Sequence, residues 1–115
     1  MEPTTIYPIT NFMGEFITIA KTSDLEPGYG KVANVMGKAI ALFNVEGTFY
    51  ALENTCLHRG GPIGKGTLEG DVVTCPWHQW QYNVKTGVME FDSEKRLKTY
   101  AVKVEGEDVK IRMED

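Results

Sequence analysis

Short apolar runs rich in β-branched and aromatic residues alternate with turn residues along most of the chain. Residues 39–45 form one such run, the pair Glu46-Gly47 follows it, and residues 48–52 form the next. An apolar run, a tight turn and a second run predict a β-hairpin. The strand-like runs are residues 16–20, 31–35, 39–45, 48–52, 72–75, 79–84, 88–91, 97–104 and 109–112.

The chain has no segment with the pattern of an amphipathic helix. No window combines a sustained 3.6-residue apolar period with residues that cap a helix. Repeated short strands with turn residues between them predict an all-β fold, an antiparallel sandwich or small barrel. The length of 115 residues suits one domain. We therefore expect residues 1–115 to form a single domain, with residues 1–14 as an irregular lead-in.

Composition and charge exclude several function classes. Hydrophobic residues make up 42% of the chain and charged residues 24%, and the formal net charge is −4. These values are ordinary for a globular protein and argue against nucleic-acid binding, which requires a basic surface. No apolar run is long enough to span a membrane, and the N-terminus lacks the basic and apolar segments of a secretion signal. We expect a soluble, cytoplasmic monomer with no membrane or nucleic-acid partner.

Both cysteines and both histidines of the chain lie within residues 56–78. Cys56 and His58 form a Cys-x-His pair, Cys75 and His78 form a Cys-x-x-His pair, and sixteen residues separate the pairs. Thiolate sulfur and imidazole nitrogen together suit either a tetrahedral zinc ion or an iron–sulfur cluster. The sequence therefore predicts a metal site at these four residues. If both cysteines bind the metal, none is left to form a disulfide, which is typical of proteins in a reducing compartment.

The residues around these ligands resemble the two cluster-binding loops of Rieske-type ferredoxins. The similarity covers residues 56–62 and 75–80 and continues through residues 64–70, Thr86-Gly87 and residues 100–104. The resemblance implies one Rieske [2Fe–2S] cluster per chain, within a two-loop cluster-binding region at about residues 54–84. It also implies that Cys56 and Cys75 bind one iron and that His58 and His78 bind the other.

A structural zinc ion is the alternative for the same four residues. Zinc fingers usually hold both cysteines in one short pair and both histidines in another, whereas each pair here contains one of each. The spacing therefore favours the Rieske interpretation. The zinc alternative implies a β-domain that serves only as an interaction module.

Departures from the respiratory members of the family indicate the subtype. Those proteins carry an extra cysteine in each loop, joined by a disulfide, where this chain has Gly61 and Trp77. They have a serine donor where it has Trp80, although the nearby tyrosine is retained as Tyr82. The loss of the disulfide and the serine predicts a reduction potential toward the low end of the Rieske range of about −150 to +300 mV. This combination resembles the disulfide-lacking ferredoxins that serve bacterial oxygenases. Gln79 stands where most relatives have glycine.

The resemblance implies an electron carrier rather than an enzyme. We expect the protein to take electrons from a flavin-containing NAD(P)H reductase and to pass them to a terminal oxygenase, with no catalytic residues of its own. It is not expected to be the oxygenase itself, because the mononuclear iron of such enzymes needs two more histidines and the chain has no third. The chain also resembles the small subunit of NADH-dependent nitrite reductase, which is the alternative function.

Two further sets of residues in this region have expected roles. One set could aim backbone N–H groups at the cluster sulfurs or could simply make turns; its members are Gly60, Gly61, Gly64 and Gly66. The other set is aromatic and is expected to pack beneath or around the loops; its members are Trp77, Trp80, Tyr82 and Phe91.

Overall fold

The structure is a computed structural model that describes residues 16–77 and 79–113. These residues form ten strands in three antiparallel sheets, with two short 3-10 helices at Thr22–Asp24 and Ile63–Lys65. The predicted all-β antiparallel fold is confirmed. The strands are β1 (Phe16–Lys21), β2 (Gly30–Val35), β3 (Lys38–Val45), β4 (Thr48–Glu53), β5 (Thr67–Glu69), β6 (Val72–Thr74), β7 (Gln81–Asn83), β8 (Thr99–Tyr100), β9 (Val102–Glu105) and β10 (Asp108–Arg112).

The central sheet has the order β2-β3-β4-β8, and its first three strands follow one another as hairpins. The predicted turn is present, since Glu46 and Gly47 between β3 and β4 have positive φ angles of 53° and 97°. Two positive φ angles give the turn whose twist matches that of the strands it joins. Met36 and Gly37 make the same kind of turn between β2 and β3, with φ angles of 55° and 86°. This second turn was not predicted, because methionine is not a typical turn residue.

Strand β3 is buried on both faces, which explains its continuous apolar run. Ile40 and Leu42 point into a first core, which the central sheet forms with the sheet β1-β10-β9. Ala41 and Phe43 point into a second core on the opposite face. All four side chains are fully buried. One strand therefore supports both halves of the domain.

The second core packs the cluster-binding region against the central sheet. The third sheet, β5-β6-β7, contributes Val73 and Tyr82, and the second 3-10 helix contributes Ile63. Cys56 and Cys75 belong to this core as well, with only 2% and 0% of their surfaces exposed. Both predicted thiolate ligands are therefore held by the same packing that stabilises the fold.

Several predicted strands differ from the observed ones. The run 97–104 divides at Ala101 because β8 pairs with β4 in the central sheet, whereas β9 pairs with β10 in the other sheet. Of the run 79–84 only Gln81–Asn83 is a strand, and the run 88–91 makes isolated bridges instead of a strand. Strand β5 was not predicted, because Thr67–Glu69 has only one apolar residue and so lacks the apolar run that marks the other strands.

Two predictions fall on parts of the chain that the structure does not describe. The irregular lead-in at residues 1–14 lies outside the described residues, and so does His78, one of the four predicted ligands. Within residues 16–77 and 79–113, no helix is long and apolar enough to cross a membrane.

Candidate metal centre

The first predicted ligand pair lies in a tight loop that follows strand β4. The N–H of Cys56 donates to the carbonyl oxygen of Gly61 (2.9 Å), and the N–H of Gly60 donates to the carbonyl oxygen of Cys56 (2.8 Å). These two bonds close a six-residue turn with the cysteine at its first position. Residues 56–61 are termed the first loop.

The second predicted pair lies in a loop of the same construction. The N–H of Cys75 donates to the carbonyl oxygen of Trp80 (2.8 Å), and the N–H of Gln79 donates to the carbonyl oxygen of Cys75 (3.0 Å). Residues 75–80 are termed the second loop. In both loops the cysteine is at position 1, the amide at position 5 donates to it, and the carbonyl at position 6 accepts its N–H. One backbone arrangement, used twice, presents the two cysteines.

Position 5 of each loop has a left-handed backbone. Gly60 has a φ angle of 78° and Gln79 a φ angle of 64°. This conformation costs a residue other than glycine roughly 1–2 kcal/mol, so the hydrogen bonds that close the second loop must hold Gln79 in place. Gln79 thus adopts the backbone that a glycine would adopt. The second loop therefore forms the same closing hydrogen bonds as the first, with glutamine in place of glycine.

The two loops contact each other at Gly61. A Cβ atom added to Gly61 would lie 2.7 Å from the Sγ of Cys75 and 3.0 Å from the Cγ of Trp77, too close for a real side chain. Gly61 and Trp77 are the positions at which the respiratory members carry the cysteines of their disulfide. Here the bare backbone of Gly61 and the side chain of Trp77 occupy that space. Cys56 and Cys75 form no disulfide with each other.

The hydroxyl of Tyr82 extends from β7 to the first loop. Its oxygen lies 3.4 Å from the Sγ of Cys56 and accepts a hydrogen bond from the N–H of Leu57 (3.2 Å). Burial, and then the hydrogen bond with Cys56, raise the pKa of Tyr82 above its ordinary value. The hydroxyl therefore stays protonated, and its proton can be donated to a thiolate at Cys56.

Two stacked rings form a second contact between the loops. The indole of Trp80, at the end of the second loop, lies over the imidazole of His58 in the first, with ring centroids 4.6 Å apart and planes 14° apart. Trp80 is half-buried against the second core, whereas His58 is exposed. The sulfur end of the site is therefore buried, and the imidazole of His58 faces solvent.

The prediction that four aromatic side chains pack around the loops is correct for Tyr82 and Trp80. Trp77 packs against Gly61 while remaining largely exposed, and the prediction is wrong for Phe91. Trp77 and Phe91 are 58% and 71% exposed. Trp77 is at position 3 of the second loop, and His58, at position 3 of the first loop, is exposed as well. Phe91 lies in a bend beyond the isolated bridges, where no strand directs its side chain inward.

Asn54 is a residue of the site that the sequence analysis missed. Its side chain is buried, and its Oδ1 accepts the N–H of Gly64 (2.7 Å), while its carbonyl oxygen accepts the N–H of Ile63 (2.8 Å). These bonds fasten the 3-10 helix against the entrance of the first loop. The only indication in the sequence was a polar residue two positions before a predicted ligand.

Three of the four candidate glycines make turns and do not direct their amides at sulfur. The N–H groups of Gly60, Gly64 and Gly66 donate to protein oxygens at 2.7–3.0 Å. Of these four glycines only Gly61 lies against a predicted ligand sulfur, the Sγ of Cys75, and its lack of a side chain allows this close approach.

The described residues of the site offer the donor types of a cluster with thiolate and imidazole ligands. Cys56 and Cys75 are buried in one core, and the absent Cβ of Gly61 leaves the Sγ of Cys75 room at the contact between the loops. His58 extends from the first loop toward solvent. Sulfur and imidazole donors match the chemistry of such a cluster, although within residues 16–77 and 79–113 no three Cys, His, Asp or Glu side chains lie close enough together to hold a metal ion.

Comparison with known families shows to which protein family this chain belongs. Residues 15–101, most of the chain, match the Rieske [2Fe-2S] domain family. The chain belongs to this family. It is also 39% identical over 100 residues to the ferredoxin component of the naphthalene 1,2-dioxygenase/salicylate 5-hydroxylase systems of Ralstonia sp, a match that covers 86% of this chain and 96% of the relative. The predictions of a Rieske-type ferredoxin, and of an electron carrier in place of an enzyme, are confirmed.

Solved structures of the Rieske family share the fold. A chain in the complex of reduced oxygenase and oxidized ferredoxin in carbazole 1,9a-dioxygenase has a TM-score of 0.79 and 33% identity, covering 86% of this chain and 94% of that one. A putative nitrite reductase small subunit has a TM-score of 0.75 and 22% identity, covering 84% and 97%. At 22% identity the likeness shows the fold alone. The sequence relatives, not the fold, therefore separate the two functions considered above.

Gly61→Ala is expected to weaken cluster binding. The new methyl group must displace the Sγ of Cys75 or the ring of Trp77, and such overpacking costs roughly 1–3 kcal/mol. The measurement is iron and acid-labile sulfide per chain. Gly60→Ala in the same loop is the matched control, because it strains a left-handed residue but meets only the Cγ2 of Thr55, at 3.6 Å. Equal iron contents in the two variants would contradict the close contact.

Tyr82→Phe is expected to lower the reduction potential. The hydroxyl stabilises negative charge on the sulfur of Cys56, and losing a hydrogen bond of about 1 kcal/mol corresponds to about 40 mV in a one-electron couple. A redox titration followed by visible absorption measures the change. Tyr29→Phe, which removes a hydroxyl from an exposed side chain, should leave the potential unaltered. Identical shifts in the two variants would exclude a specific bond to Cys56.

Proposed function

We propose that this chain is the ferredoxin component of a multicomponent oxygenase system. In this role it takes one electron at a time from a flavin-containing NAD(P)H reductase and delivers it to a terminal oxygenase. The observation that carries the proposal is the match to a dioxygenase ferredoxin component over 96% of that relative's length. The buried sulfurs and the exposed imidazole of His58 support it, because they suit the transfer of electrons to a docked partner.

We further propose that Cys56 and Cys75 hold one iron of a single [2Fe–2S] cluster and that His58 and His78 hold the other. The two loops of identical construction support the roles of the cysteines. The exposed position of His58 supports an imidazole ligand at the surface. The role of His78, which lies outside the described residues, rests on its place at position 4 of the second loop. On this proposal residues 1–115 are a single domain with one cluster.

The cysteine ligands are buried, whereas the ligand His58 is accessible from solvent. When bound, the cluster supplies a one-electron couple. Cys56 and Cys75 keep the sulfur side in the second core, and the hydroxyl of Tyr82 partly offsets the charge on the sulfur of Cys56. His58 leaves the imidazole side at the surface. A partner that docks there approaches the site along the imidazole and not through the body of the domain.

The surface of the two loops has the features of a transient docking site. Leu57 and Trp77 are large apolar side chains that are 47% and 58% exposed. Arg59 and Lys65 are exposed nearby along the chain, and no acidic residue lies between them. Apolar anchors surrounded by charged side chains are typical of protein interfaces, and the charges steer association. We propose that redox partners present an acidic rim to this surface.

Two alternative functions have less support. The small subunit of nitrite reductase shares the fold, but the sequence relatives at 39% identity are dioxygenase ferredoxins. Membership of the Rieske family favours an iron–sulfur cluster over a structural zinc ion. We propose a cytoplasmic location for a monomeric carrier, because thiolate ligands must be kept reduced until the cluster is inserted.

Visible absorption and EPR spectra of the purified protein test the cluster. We expect a red-brown protein with about two irons and two sulfides per chain, which bleaches with dithionite and gives the rhombic EPR signal of a histidine-ligated [2Fe–2S] centre. His78→Ala should lose that signal, whereas Lys38→Ala, at an exposed position of β3, should keep it. A colourless protein with stoichiometric zinc, even after anaerobic purification, would contradict the proposal.

Charge reversal on the loop surface tests the docking face. Arg59→Glu combined with Lys65→Glu should slow electron transfer to a naphthalene dioxygenase oxygenase component by about tenfold at low salt, and by less at high salt. Stopped-flow reoxidation of the reduced protein measures the rate. The control is Lys103→Glu with Lys110→Glu, which changes the net charge equally on the distant sheet β1-β10-β9. Equal rates for the two double variants would place docking elsewhere.

A further inference from the structure

The contact between Trp80 and His58 joins two residues of different loops through their ring faces. The centroids are 4.6 Å apart and the planes are inclined by only 14°. At this separation near-parallel rings are in the range of favourable offset stacking. The near-parallel arrangement also means that the plane of one ring defines the plane of the other.

The position of the Trp80 indole is set by contacts other than the one with His58. The backbone carbonyl of Trp80 accepts the N–H of Cys75 at 2.8 Å, which closes the second loop. Its side chain packs against the second core, next in sequence to the strand that carries Tyr82. The indole is therefore anchored to the body of the domain, on the same segment that presents a cysteine ligand.

His58 is more exposed than Trp80. It lies at position 3 of the first loop, where residues 57–60 are all exposed. A half-buried indole and an exposed imidazole make an asymmetric pair, in which the anchored ring can restrain the exposed one. Rotation of the imidazole about its Cβ–Cγ bond would break the parallel stacking.

We propose that Trp80 is a positioning residue for His58. By stacking, the indole sets the tilt of the imidazole plane, and so the direction from which its nitrogen binds iron. This proposal rests on the ligand set given under the proposed function. It goes further, because it states that a residue of the second loop, Trp80, orients a ligand of the first loop, His58. The competing interpretation is that Trp80 only fills space against the second core.

The orientation of an iron-bound imidazole can be measured directly. In the reduced protein labelled with 15N-histidine, pulsed EPR resolves the hyperfine couplings of the two ligand nitrogens, which depend on the tilt of each ring. Loss of the indole should shift or broaden one set of couplings and leave the other unchanged. Water should also reach the His58 side more easily. Because reduction adds negative charge, better hydration favours the reduced state and raises the potential.

Three variants separate stacking from packing. Trp80→Leu and Trp80→Met keep an apolar side chain without an aromatic face, and Trp80→Phe keeps the face with a smaller ring. We expect altered couplings for one histidine and a more positive potential in the Leu and Met variants, and values near those of the unchanged protein in the Phe variant. Phe91→Leu, which removes an exposed aromatic side chain outside both loops, is the control and should alter neither.

The outcomes decide between the two interpretations. Couplings and potential that are unchanged in the Leu or Met variant, with the cluster retained, would overturn the positioning role. Loss of the cluster in both aliphatic variants but not in Trp80→Phe would support it, because the aromatic face is the main feature that Phe has and Leu and Met lack. Loss in all three would contradict it. The unchanged protein is measured first: absence of two histidine couplings there would refute the proposed ligand set, a failure distinct from that of Trp80.

Discussion

The site depends on one backbone arrangement that occurs twice. In each loop both backbone groups of the cysteine are bonded, the N–H to the carbonyl at position 6 and the carbonyl to the amide at position 5. The Cα–Cβ directions of Cys56 and Cys75 are therefore set by the polypeptide itself, before any metal binds. The requirement is a left-handed residue at position 5. Gly60 meets it without strain, and Gln79 meets it at a cost that the closing bonds offset.

Noncovalent contacts hold the two loops together in this chain. Among the described residues they include the approach of Gly61 to Cys75, the bond of the Tyr82 hydroxyl at Cys56, and the stacking of Trp80 on His58. Each contact joins the first loop to the second loop or to the strand that follows it. Respiratory relatives have a disulfide at this place, which would hold the loops even if the packing loosened. Here the spacing of the loops depends on the second core, so core packing and cluster geometry are coupled.

The parts that could be predicted from the sequence are those that local pattern determines. Strand β3 follows from its apolar run and the next turn from Glu46-Gly47, whereas the four candidate ligands, assigned from their clustering, stay a prediction. The remaining features depend on distant partners. The division at Ala101 exists because two sheets compete for one run, and the stacking of Trp80 on His58 joins residues that are far apart in sequence. The exposure of Trp77 depends on where a loop position points, which composition does not reveal.

The two ends of the site respond to different parts of the molecule. The sulfur end lies in the second core, under Phe43 of the strand that also supports the first core. Burial and hydrogen bonding around the sulfurs govern the potential of such a cluster, so the potential is a property of the fold. The imidazole end lies among exposed side chains such as Leu57 and Trp77. Partner recognition can therefore change at the surface while the potential stays constant. Trp80 is the exception, because it contacts both the second core and His58 and so connects the two ends.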